Sequence, residues 1–292
     1  MKTQLTRRDA IRAAAGSAAA AATASLARDT LAGESSKKKL KGNIRHSVSR
    51  WCYGKFSLDE LCKACRRIGI ESVELLKPGE WDTVKKYGLT CAMTSVGKGI
   101  ANGFNRVEHH DELVAELEKV VPMAADAGMS NLICMSGNRK GMDDDEGLKN
   151  CAIGLKRIVG LCEKHEVNLC MELLNSKVNH PDYMCDHTDW GVELCKRVGS
   201  PRFKLLYDIY HMQIMEGDLI RTIRDNAEYI GHYHTGGNPG RHEIDETQEI
   251  YYPAVMRAIV ETGYDGFVGQ EFVPKSDDPL ASLEKCVHIC DV

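Results

Sequence analysis

Long hydrophobic runs are the first thing this chain lacks. After an Ala-rich stretch near its start, no apolar segment approaches the roughly 20 residues that a bilayer-spanning helix needs, so no stable membrane insertion is expected once that start is removed. A surplus of positive charge is missing too. Lys and Arg number 38 against 42 Asp and Glu, the formal charge is −4, and no segment gathers its basic residues on one face, which argues against a nucleic-acid partner. Aromatic residues are scarce at 6%. Two motif absences narrow the field further. No second CxxC accompanies Cys62-x-x-Cys65 to complete a structural zinc site, and the stretch Ser49-Arg50-Trp51-Cys52-Tyr53-Gly54 after the first apolar run is not a Gly-rich phosphate turn.

What remains is a composition of 43% hydrophobic and 27% charged residues over 292 positions, that of a globular protein with a large core. Its first 27 residues read as a signal peptide. Arg7-Arg8 precede a weakly hydrophobic Ala-rich region with no acid until Asp29 beyond Asp9, the pattern of a twin-arginine export signal, so a periplasmic destination is expected. Residues 28–42 read as a polar linker and 43–292 as one domain. Twelve cysteines in an exported chain suggest disulfides. Cys62 and Cys65, however, sit within a helical apolar pattern, and a chain folded before export can keep its thiols reduced in the core, so most are expected to be unpaired.

From Asn43 onward short apolar runs alternate with amphipathic helical stretches. Strands are expected over 45–51, 72–76, 90–95, 131–136, 168–173, 204–208, 231–235 and 266–272, with helices such as 58–68, 112–127, 148–165, 190–198, 219–229 and 252–262 between them. Eight such units predict a (β/α)8 TIM barrel, in preference to a doubly wound sheet, and place the chemistry at the C-terminal strand ends. The last four strands carry Glu172, Asp208, His234 and Glu271 at those ends. Three buried acids in one mouth would repel one another without a cation, and three carboxylates with one imidazole suit a divalent ion such as Mn2+, Mg2+ or Co2+.

The C-terminal half carries Asp208-x-x-His211, Gly231-His232-x-His234, Pro239-Gly240-Arg241-His242-Glu243, Glu249-Ile250-x-Tyr252-Pro253, Gly263-Tyr264-x-Gly266 and Glu271-Phe272-x-Pro274. In this it resembles the hydroxypyruvate isomerase group within the xylose-isomerase-like barrels. The resemblance implies a metal held by Glu172, Asp208, His234 and Glu271, proton exchange with substrate by Glu172 and Glu271, and substrate contacts from His211 and Arg241. It implies isomerisation of a small keto acid or sugar through an enediolate, with hydroxypyruvate and tartronate semialdehyde as the pair; a ketose 3-epimerase or another keto-sugar isomerase is the alternative. Two positions depart from the pattern. Hydroxypyruvate isomerases commonly carry Gln at the place of His234, where epimerases have His, and Val178 stands where epimerases have a substrate-binding Glu. Lys177 and Arg50 are further candidates for a substrate carboxylate, while His109, His110, His180 and His187 read as solvated or structural. Metal-dependent DNA repair is disfavoured by the missing basic face, and a non-catalytic sugar-binding barrel by the two intact glutamates. The sequence leaves the oligomeric state open, a homo-oligomer included.

Overall fold

The computed structural model describes residues 39–97 and 99–292, so the expected leader and most of the linker lie outside it. Leu40 already belongs to the barrel unit. Its side chain packs on the core, and the Lys41 N–H donates to both carboxylate oxygens of Asp291 at 2.9 Å.

Among the described residues seven parallel strands form one sheet: β1 (Arg45–Ser49), β2 (Ser72–Glu74), β3 (Asn131–Cys134), β4 (Asn168–Glu172), β5 (Phe203–Asp208), β6 (Ile230–Thr235) and β7 (Phe267–Gln270), in the order β2-β1-β7-β6-β5-β4-β3. Helices alternate with them, including α1 (Leu58–Ile68), α2 (Trp81–Lys86), α3 (His110–Ala127), α4 (Asp144–Lys156), α5 (Val159–Lys164), α6 (Thr188–Val198) and α7 (Ile209–Met215). This is an α/β fold of the TIM-barrel kind.

The expectation of eight regular strands needs correction at 90–95. That segment holds only isolated parallel bridges, Ser72 to Thr90 and Leu76 to Thr94 on the β2 side and Thr94 to Leu132 on the β3 side. Its middle donors turn to side chains instead of a ladder: Cys91 N–H meets Met129 Sδ at 3.3 Å and Ala92 N–H meets Ser72 Oγ at 2.8 Å. The helix expected over 148–165 is likewise two, α4 and α5. Between them Arg157 and Ile158 make tighter bonds back to Gly154 and Leu155, three residues earlier.

α1 shows how local sequence fixes an element. Ser57 and Glu60 form a reciprocal capping box at its start, Gly69 closes it with φ 99°, and Leu61, Cys62, Cys65 and Ile68 make its buried face. The CxxC is therefore part of the helix–sheet core. All twelve cysteines are unpaired and all but Cys52 are buried. Burial pushes the Cys62 thiol up to about 11 and those of Cys91, Cys162 and Cys195 to about 12, which keeps them protonated and unreactive.

Strand side chains alternate between two environments. Outward residues such as Val48, Val73, Met171, Tyr207 and Tyr233 join the helices in the main core. A small inner cluster of Met93, Ile133, Cys170 and Leu206 fills the barrel. His46 is an exception. It is 1% exposed, and neither ring nitrogen has a hydrogen-bond partner. Burial lowers its pKa from 6.5 to about 4, Asp291 opposing and His288 adding to the fall. A histidine held neutral when folded stabilises fully above pH 6.5 and loses that contribution as the pH falls toward 4. Relative to a His46→Leu variant, the native protein should lose about 3 kcal/mol between pH 7 and pH 4. Urea midpoints of the two proteins at both pH values measure this; identical pH slopes would contradict it.

Candidate metal centre

Asp208 and His234 are register partners across β5 and β6, Glu172 ends β4 opposite Leu206, and Glu271 lies two residues beyond Gly269, the partner of His234 on β7. The two-residue period carries each of the four to the inner face, directly above Cys170, Leu206, His232 and Gly269. A register shift secures the phase. Leu205 pairs with Ile230 but Leu206 pairs with His232, so Gly231 is bulged out. Without that shift Tyr233 would replace His234 opposite Asp208.

The result is a set of Glu172, Asp208, His234 and Glu271 whose ligand atoms all lie within 4.8 Å of one another, each residue 5% exposed or less. His234 Nδ1 is 2.7 Å from Glu271 Oε2 and 3.4 Å from Glu172 Oε1. Arg241 Nη2 reaches Asp208 Oδ2 at 3.0 Å and Glu271 Oε2 at 2.6 Å. Its guanidinium stacks over Trp51 and Tyr210 at 5.3 and 5.5 Å, and Trp51 Nε1 donates to Glu271 Oε1 at 2.7 Å. The Arg241 backbone has φ 58°, a left-handed conformation held by its N–H to the Gly237 carbonyl and its own carbonyl to Val273 N–H.

His211 enters on α7, which starts directly after β5. Asp208 caps that helix, its Oδ1 accepting the His211 N–H at 3.2 Å. The Asn175 N–H donates to His211 Nδ1 at 3.0 Å, so the neutral ring carries its proton on Nε2, which has no hydrogen-bond partner and sits 3.6 Å from Asp208 Oδ2. Burial and Arg241 hold His211 well below its usual pKa, in keeping with a neutral ring.

The electrostatics divide the acids. Burial pushes Asp208 up to about 7 against the pull of Arg241, with Glu271 and Glu172 adding to the rise. Burial and Glu271 also raise Glu172. Burial opposes ionisation of Glu271 as well, but His234 and Arg241 outweigh it and hold the carboxyl well below the usual range. His234 is likewise kept charged by Glu271 and Glu74 despite burial. Protons and one guanidinium thus supply positive charge to a mouth crowded with carboxylates. Four donors about 2 to 2.2 Å from a shared centre would have this spread, and three oxygens with one nitrogen is a donor set for a hard or borderline divalent ion. The residues fit such an ion.

Some neighbours differ from expectation. Lys177 Nζ donates to the carbonyls of Ile214 and Met215 at the end of α7, and Arg50 to those of Tyr53 and Phe56, so neither is spare for a substrate carboxylate. His180 lies on the cavity wall, its ring 5.3 Å from that of His211. His110 is structural, bonded to the Phe104 carbonyl at 2.8 Å. Sequence reading missed Trp51, Asn175 and above all Glu74, a fully buried acid at the end of β2 whose Oε1 is 2.7 Å from His234 Nε2. Its position at a strand end was the available signal. The mouth opens into a cavity of about 400 Å³ whose lining includes Trp51, His180, Arg241, Glu172 and Glu271 together with the apolar Leu75, Val96, Ile100, Ile133, Met135 and Leu174.

Fold and site together define an α/β barrel with a carboxylate-rich centre at the C-terminal ends of its strands. The chain belongs to the xylose isomerase-like TIM barrel family, whose model matches residues 62–286. It is 36% identical over 110 residues to a 2-oxo-tetronate isomerase of Cupriavidus necator, covering 38% of this chain and 42% of that one. It is 36% identical over 120 residues to the hydroxypyruvate isomerase of Escherichia coli K12, covering 39% and 46%. The chain thus spans under half the length of these curated relatives. A crystal structure of an AP endonuclease, family 2, from Brucella melitensis superposes with TM-score 0.75 at 23% identity, covering 82% of this chain and 97% of that one, a likeness of fold.

If the acids need a cation, Mn2+ added to chelator-stripped protein at about 100 times its dissociation constant should stabilise it by about 2.7 kcal/mol, a rise of about 5 to 10 °C in melting temperature for a domain of this size. Thermal scans with and without the ion measure this. No rise with Mn2+, Mg2+ or Co2+ at millimolar concentration would speak against a metal centre.

Proposed function

We propose that the protein is a metal-dependent isomerase of a small 2-keto acid, working through an enediolate, with conversion of hydroxypyruvate to tartronate semialdehyde as its reaction. The observation that carries the reading is the pair of carboxylates flanking His234, with Glu172 Oε1 3.4 Å and Glu271 Oε2 2.7 Å from its Nδ1. Two carboxylates within reach of one bound substrate can serve as base and acid. The names of the two curated relatives, both isomerases, support the same class.

In this reaction a proton leaves C3 and another arrives at C2, while the oxygens exchange hydroxyl and carbonyl character. Glu271, oriented by Trp51 Nε1, is placed to take the first, and Glu172 across the mouth to return the second. His211 Nε2 and Arg241 Nε are buried donors without partners, positioned to receive substrate oxygens, including the carboxylate. A divalent ion held by Glu172, Asp208, His234 and Glu271 would supply Lewis-acid stabilisation of the developing negative charge. The leader read over residues 1–27 would carry this activity out of the cytoplasm.

One observation favours a second reading on the same site. A cavity of about 400 Å³ with an apolar wall has room for more than a three-carbon acid, which suits a keto-sugar isomerase or epimerase. Assays of Mn2+-, Mg2+- and Co2+-loaded protein with hydroxypyruvate, a four-carbon 2-oxo acid and a set of ketohexoses separate the two; turnover of ketohexoses alone would replace the keto-acid reading. On the preferred substrate Glu271→Gln should lower kcat by about 10² to 10⁴-fold, more than it weakens metal binding. Near-native turnover in the loaded variant would rule out proton transfer by Glu271.

A further inference from the structure

The geometry points to Glu74 as the positioning residue of the metal centre, the group that fixes which nitrogen of His234 faces the ion. This rests on the metal-site reading above. Glu74 ends β2 beside His232 and His234, and its side chain has no solvent exposure. His234 Nε2 sits 2.7 Å from its Oε1; His232 Nε2 sits 3.2 Å from Oε1 and 3.1 Å from Oε2. A carboxylate only accepts, so both imidazoles present Nε2–H to it, and Nδ1 of His234, which must give up its proton for an ion to bind, is the nitrogen left for the set of Glu172, Asp208 and Glu271. An imidazole bonded through one nitrogen to a buried carboxylate is held in ring angle and tautomer at once.

The fold makes room for this acid. A Cβ built on Gly269 of β7 would overlap Glu74 Oε1 and press on His234 Cδ2, so only glycine lets the carboxylate reach the ring. Ser49 Oγ approaches the same oxygen at 3.4 Å. His232 and His234, two residues apart, share one face of β6, and the bulge at Gly231 turns that face inward, the geometry needed for a single carboxylate to hold both. His232 Nδ1 has no hydrogen-bond partner, while its Nε2 lies against Glu74; Glu74, His232 and His234 form a second group of close ligand atoms, in which His232 serves as a second donor to the carboxylate.

The test is calorimetric titration of the metal-free full-length protein with Mn2+, with near-UV circular dichroism to establish folding. Glu74→Gln should weaken Mn2+ binding about 10- to 100-fold, the usual consequence of losing such a partner, and Glu74→Asp should recover part of the loss. His232→Gln, which leaves the carboxylate on His234, should stay within about threefold of the native protein. Gly269→Ala, whose Cβ would displace Glu74 and also press on His234, should weaken binding at least as much as Glu74→Gln, and Glu74→Asp is the variant read if Glu74→Gln does not fold. In Zn2+-loaded native protein, long-range ¹H–¹⁵N spectra should find the His234 proton on Nε2, a signature spread over both nitrogens in Glu74→Gln. Native-like affinity in Glu74→Gln or in Gly269→Ala overturns the role of Glu74 and leaves the metal centre standing. A loss in His232→Gln as large as that in Glu74→Gln overturns it too, since the effect would then come from packing of the pair or from an ion held directly by Glu74 and the two histidines. Failure of the native protein itself to bind Mn2+ removes the metal reading and this inference with it.

Discussion

Negative charge buried at the mouth of the barrel is the constraint on which the rest depends. Glu74, Glu172, Asp208 and Glu271 are each 5% exposed or less, and among the described residues His234 and Arg241 are the cationic groups bonded within the cluster that Glu172, Asp208 and Glu271 form. Carboxylates so placed cannot all ionise unless positive charge is supplied, and the direction of each pKa follows from who supplies it. Glu271, touching both cations, stays ionised, while Asp208 and Glu172 are driven upward. Crowding of these carboxylates is thus the electrostatic reason for the site to take up a cation.

Holding those charges in place falls to the strand lattice. Residues two apart along a strand share a face, so the inner positions of β4 to β7 set the mouth and the outer positions anchor it to the helices through an apolar core in which the cysteines act as small hydrophobes. Gly231 and Gly269 do different work within it. One absorbs the register shift that brings His232 and His234 inward, and the other leaves space for Glu74.

This hierarchy also explains what could be read in advance. Acids and an imidazole at four successive strand ends are visible as Glu172, Asp208, His234 and Glu271 because strand period and strand end are both local properties. The segment 90–95 has the composition of a strand, but its irregularity depends on Ser72 and Met129 capturing its donors from distant positions. Lys177 and Arg50 look like free cations until the carbonyls they cap are known. Glu74 was hidden for a similar reason. A lone acid at the end of a short strand has no significance until β6 turns two histidines toward it, and that turn depends on a bulge the sequence marks with no more than a glycine.

Anomalous diffraction from crystals of Mn2+-loaded protein tests the central claim most directly. The account predicts one strong peak at the C-terminal mouth, about 2 to 2.3 Å from His234 Nδ1 and from carboxylate oxygens of Glu172, Asp208 and Glu271. A peak elsewhere, or a mouth in which Arg241 and protons alone balance the acids at saturating Mn2+, would contradict it.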